Sequence, residues 1–114
     1  MDANRKKQLM ETYKNRRPKM GVVAYKCLAT QESFLETAKD TAAVFNSVSF
    51  QLSINSHPNR RLQALWNQYG DAGFERRVVQ TLKYENPAED HTDALKKMRD
   101  RLLEQDDKAY KMWQ

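Results

Sequence analysis

Apolar residues recur along this chain with two different periods, and the changes of period mark its elements. Residues 2–16 fit a helix, with Asp2 as its cap and Leu9, Met10 and Tyr13 as a narrow apolar stripe. Arg17-Pro18 ends it, because the residue before proline avoids helical backbone. Met20 to Ala29 then reads as a strand built on Val22, Val23 and Tyr25. Thr30-Gln31-Glu32 is a polar turn and Ser33 to Thr37 a second strand, so the pair predicts a hairpin.

The period then lengthens. Val44, Phe45, Val48 and Leu52 fall at three- and four-residue steps and predict a helix from Ala38 to Leu52. Ser56 or His57 leads into Pro58, a suitable first helical residue. Leu62, Leu65, Trp66 and Tyr69 line one side of the next helix, which Gly70 stops. Phe74 to Leu82 returns to strand around Val78 and Val79. After a loop at Tyr84–Asp90, a last helix is predicted from Thr92 to about Tyr110, with Leu95, Met98, Leu102 and Leu103 inward. These elements predict one α+β domain over residues 1–114, with a three-stranded sheet packed by helices.

Composition narrows the class. At 114 residues with 39% hydrophobic and 31% charged residues, the chain suits one polar globular domain. The lone Cys27 excludes an intrachain disulfide and sits in the apolar run GVVAYKCLA, where it acts as a small buried hydrophobe. No stretch approaches the roughly 20 apolar residues of a membrane span. The N-terminus lacks the apolar core of a secretory signal. The expectation is a cytoplasmic protein without membrane partners.

The net charge of +5 is local. Residues 1–19 hold Arg5, Lys6, Lys7, Lys14, Arg16, Arg17 and Lys19 against only Asp2 and Glu11, and the remainder is balanced. Lys6, Lys7, Lys14, Arg16 and Arg17, in a basic N-terminal segment over 1–17, are therefore the candidate nucleic-acid contacts. A merely solvated helix face explains the same charges. His57 and His91 have no partners at metal-ligand spacing, so no metal or other cofactor is expected. His57 beside Pro58 reads as a turn or capping residue. Trp66 and Tyr69 read as core before they read as a base-stacking platform. Arg60-Arg61 and Arg76-Arg77 are adjacent pairs whose members point different ways, and they read as solvated or salt-bridged. The tail Tyr110–Gln114 either docks on the domain or marks a contact surface.

Phe50 to Phe74, FQLSINSHPNRRLQALWNQYGDAGF, carries a further signal. It resembles a segment of small bacterial members of the GIY-YIG nuclease superfamily. There a helix ends in a Phe-Gln-Leu-like element, followed by His-Pro-Asn, a Leu-Gln-x-x-Trp-Asn-x-x-Gly helix and a Phe-Glu strand. The resemblance spans residues 18 to 105 and implies that family's fold. It also implies a chemistry: strand tyrosines near the scissile phosphate, a helical Arg against developing charge, and a Glu holding a divalent metal.

The positions that match those roles carry other residues. The Gly-Ile-Tyr triplet becomes Gly21-Val22-Val23, so Val23 stands for the first tyrosine. The Tyr-Ile-Gly triplet becomes Phe34-Leu35-Glu36. Val44 stands for the helical Arg, Val48 for a His one turn later, and Lys96 for the metal-binding Glu. The resemblance thus implies a GIY-YIG-like pseudoenzyme with no catalytic residues and a residual binding role, DNA or other nucleic acid being the candidate partner. Two alternatives stand beside it. One is an active, divergent endonuclease using Glu36 or Asp100. The other is a protein-interaction module.

Overall fold

The computed structural model describes residues 18–86 and 88–112. The expected N-terminal helix, with its stripe Leu9, Met10 and Tyr13, lies outside the described residues, as does Trp113. Strands β1 (Met20–Cys27) and β2 (Ser33–Ala38) form the hairpin. Helices α1 (Thr41–Ser53) and α2 (Arg60–Tyr69) follow, and a short 3-10 turn, Asp71–Gly73, leads into β3 (Phe74–Leu82). Helix α3 (Thr92–Gln105) and a short strand β4 (Ala109–Lys111) complete the chain.

The sheet has four strands, not three, in the order β3-β1-β2-β4. β1 pairs antiparallel with both β2 and β3, while β4 runs parallel to β2, with Phe34 beside Tyr110. This corrects the expected 92–110 helix. Asp106 and Asp107 place negative charge at a helix C-terminus, which the helix dipole disfavours. The Asp106 carboxylate instead accepts the Lys108 N–H at 3.0 Å in a local turn that starts β4. The tail then docks. Ser33 N–H donates to the Lys108 carbonyl, Met112 N–H donates to the Leu35 carbonyl, and the Met112 side chain is fully buried. Asn59 clamps it by donating to the Lys111 and Met112 carbonyls at 3.3 and 3.1 Å.

Helix starts shift for equally local reasons. Ala38 pairs with Gly21 in the sheet, and Asp40 caps α1 by accepting the Ala43 N–H at 3.2 Å. Pro58 lies outside α2, because Asn59 takes the cap by accepting the Leu62 N–H at 3.0 Å.

Alternation along the central strands feeds two cores. On one face, Tyr25, Cys27 and Phe34 meet Val48 and Leu52 of α1, Leu62 and Leu65 of α2, and Met112. On the other, Val22, Ala24 and Leu35 meet Val79 and the α3 residues Met98, Leu102 and Leu103. Trp66 joins the first core, its ring tilted against those of Tyr25 and Phe74 at centroid distances of 6.5 and 5.4 Å. Tyr69, expected inside, is exposed at the end of α2. Among the described residues, no helix is long and apolar enough to cross a membrane.

Candidate functional site

The hairpin register sets Val23 across from Glu36 and Tyr25 across from Phe34. α1 lays Val44 and Val48 over the same face as Tyr25 and Phe34. The structure therefore brings four of the six matched positions, Val23, Phe34, Val44 and Val48, into or beside packed core. Val23 is 0% exposed, Phe34 and Val48 1%, and Val44 is half-buried against the first core. Valine at 23, 44 and 48 offers neither hydroxyl nor cation at the matched positions. Lys96 does not join them, because it projects into solvent from α3 next to the buried Leu95.

Glu36 is the polar exception. Its Oε1 accepts the Thr37 backbone N–H at 2.7 Å and the Thr37 hydroxyl at 3.1 Å. Oε2 is enclosed and accepts no hydrogen bond among the described residues. Burial pushes the carboxyl pKa up, and the two Thr37 bonds and the Arg99 charge oppose that only in part. Asp100, the other candidate acid, is exposed and accepts from Arg99 at 3.2 Å.

This burial predicts a pH signature. The folded-state pKa of Glu36 lies above its ordinary value of 4.5, so the neutral form favours folding. Its contribution is complete below that ordinary value and is lost as pH rises through the raised pKa. Glu36→Gln, neutral at every pH, is expected to gain stability relative to wild type as pH rises through the raised pKa of Glu36. The gain should vanish in acid. Urea melts of both proteins across the pH range read the difference, and a gain that does not change with pH would remove burial as its cause. His57 acts in the opposite sense. It is buried, its backbone N–H donates to Gln63 Oε1, its Nδ1 accepts the Asn59 N–H at 3.0 Å, and burial lowers its pKa. Stability from neutral His57 is lost as pH falls through that lowered pKa.

A second polar group escaped the sequence reading. Tyr25 donates to the Phe45 carbonyl at 3.0 Å and lies 2.7 Å from Ser49 Oγ. Arg76 donates to the same Oγ at 3.0 Å and pairs with Asp71 at 2.8 Å. This chain ties β1 and β3 to α1. Its signal was present in the sequence, because Tyr25 follows Val23 by two residues and two-residue steps share a strand face. Burial raises the Tyr25 pKa, which keeps the phenol protonated.

The remaining candidates separate. Arg61 binds Glu32 bidentately at 2.6 and 3.1 Å and holds its carboxyl below the ordinary range. Arg60 is exposed. Arg77 borders a 240 Å³ cavity floored by Ala24, Leu35, Val79 and Leu102. The His91 ring lies tilted against Tyr84 at 5.3 Å and edges a more open 520 Å³ recess, with Pro18, Met20, Lys39 and Asp40 at the start of α1. Lys6, Lys7, Lys14, Arg16 and Arg17 lie outside the described residues.

No family model matches the sequence. The search of curated proteins finds no match. Among solved structures, a mutant form of the catalytic domain of intron endonuclease I-TevI superposes with a TM-score of 0.68 at 18% identity, covering 82% of this chain and 93% of that one. The catalytic domain of homing endonuclease I-TevI also gives 0.68 and 18%, covering 84% of this chain and 100% of that one. The fold is thus α+β and GIY-YIG-like.

Proposed function

We propose that this chain is a catalytically lapsed GIY-YIG nuclease-like domain that keeps a binding role. The observation that carries the reading is the burial of Val23 and Val48, at 0% and 1% exposure, where a phosphodiesterase needs a tyrosine and a polar helical group. Stabilising charge on a phosphoryl group requires preorganised donors or a cation, and removing one such group costs about 3 kcal/mol of transition-state stabilisation. Valine supplies neither. Lys96 in place of a metal-binding carboxylate acts in the same direction.

The expected result is no cleavage of plasmid, single-stranded DNA or RNA in Mg²⁺ or Mn²⁺. Cleavage that disappears with Glu36→Gln or Asp100→Asn would overturn this reading in favour of a divergent active endonuclease.

The retained role is weak, sequence-independent nucleic-acid binding through Lys6, Lys7, Lys14, Arg16 and Arg17, in a protein of the bacterial cytoplasm. Two observations support it: the I-TevI domains it resembles are endonucleases, and the whole net charge lies in residues 1–19. Counterion release makes such binding fall steeply with salt. Neutralising Lys6, Lys7, Lys14 and Arg17 together is expected to abolish it in fluorescence anisotropy at about 50 mM salt while leaving the melting curve unchanged. Salt-insensitive, sequence-selective binding would count against it, because that requires contacts to base edges.

A further inference from the structure

Helix α1, TAAVFNSVSFQLS, has no charged residue in 13 positions, in a chain that is 31% charged. The surface of α3 by contrast carries Lys96, Lys97, Arg101 and Glu104, and α2 opens with Arg60-Arg61. The inward side of α1 is occupied by Thr41, Val48 and Leu52, with Val44 and Phe45 partly covered. Its outward stripe runs Ala42, Ala43, Asn46, Ser47, Phe50 and Ser53, and all six are exposed. Ile54 at the C-cap extends it. Phe50 and Ile54 are 63% and 55% exposed, the highest values for large apolar side chains among the described residues. They stand one turn apart and therefore side by side.

This stripe is graded in size. Its first half is small (Ala42, Ala43) and its second half large (Phe50, Ile54). A graded stripe complements itself only when reversed. Two copies of α1 packed antiparallel about a two-fold axis midway between Asn46 and Phe50 would set Ile54 of each over Ala42 of the other, and Phe50 beside Asn46. Near such an axis every residue faces its own kind, so any charge repels itself. The α1 stripe has none. Arg76, which reaches Ser49 at its border, is already neutralised by Asp71. Loss of charge and gain of an aromatic group are also what distinguish interface cores from ordinary surface.

We propose that α1 is a self-association surface, on which two copies of this chain pack through an antiparallel α1–α1 contact. A 13-residue helix is about 20 Å long, and one such contact covers well under the roughly 800 Å² per partner of stable assemblies. The association is therefore transient and concentration-dependent. It does not depend on the nuclease-like reading.

Sedimentation velocity of the full chain from about 10 μM to about 1 mM tests it. Wild type is expected to shift from monomer toward dimer across that range. Phe50→Glu should weaken the dimer by about tenfold or more. Ala42→Lys should do the same, although alanine offers little apolar surface, because it faces the partner's Ile54. Ile54→Glu alone should weaken it too, while Ala42→Lys with Ile54→Glu in one chain should restore it through two opposite-charge contacts. All these side chains are exposed, so melting curves should stay at wild type. A monomer at every concentration would overturn the proposal. So would a dimer that Phe50→Glu breaks and Ala42→Lys leaves intact, since that contact would not be the antiparallel one.

Discussion

Val48→Arg is expected to destabilise the fold by at least about 3 kcal/mol, lowering the melting temperature by roughly 10 °C or more. The side chain is 1% exposed and packs among Tyr25, Phe34 and Leu52. Substitution removes about 1.5 kcal/mol of valine burial. It also buries a guanidinium among apolar neighbours, a cost that an unpaired charge cannot recover in the core. Val44→Arg should cost only about 1 kcal/mol, because Val44 is half-buried and a long side chain there can carry its charge out to water. The two variants also bear on function. If this face has closed over with apolar packing, the polar group that the resemblance places at 48 cannot be restored without disrupting the core. Thermal or urea melts read both effects. A Val48→Arg protein with wild-type stability would mean that this face is open, and it would revive the endonuclease alternative.

Legibility in the sequence followed the strength of local periodicity. α1 was predictable because Val44, Val48 and Leu52 share a face, and β3 because its bounds are a glycine turn and a polar loop. The hairpin came through for the same reason. β4 was not legible. Lys108-Ala109-Tyr110-Lys111 has ordinary helix formers and follows a helix without a glycine stop. What makes it a strand is long-range: the free edge of β2, the Asn59 clamp and the pocket filled by Met112. Tyr69 was misplaced because an apolar spacing on α2 says nothing of where the neighbouring elements end.

The burial of Val48 followed from the apolar face of α1. Two features depended on three-dimensional placement. The Glu36–Thr37 bond depends on where β4 stops, since β4 pairs with β2 only as far as Leu35 and Thr37 N–H is met by Glu36 itself. The Tyr25–Ser49–Arg76–Asp71 chain joins residues up to 51 positions apart in sequence and needs β3 beside β1. Both are polar groups inside an otherwise apolar face, which periodicity alone treats as noise.

Gly21 is the matched triplet's one unchanged residue, and Gly21→Ala is expected to cost about 3 kcal/mol. A methyl group at this Cα would stand 2.1 Å from the Gln80 carbonyl oxygen and 3.0 Å from the Thr81 Cα, both backbone atoms. A side chain could rotate away, but a strand paired along its whole length cannot. The crowding has a local origin. β3 carries a bulge where Val22 pairs with Gln80 and Val23 with Val78, leaving Val79 as the extra residue. Bulges sharpen the local twist, and this one presses the β3 backbone onto β1 at Gly21. The glycine is therefore held by architecture, whether or not any chemistry remains nearby. Relief requires β3 to slide or the bulge to open, and either change withdraws Val79 from its packing with Val22, Ala24 and Leu35. Hydrogen exchange should show faster opening of the β1–β3 ladder in Gly21→Ala, with protection between β1 and β2 less affected. A variant as stable as wild type, with unchanged exchange at Gln80 and Thr81, would mean that β3 yields freely and that the glycine has no packing role.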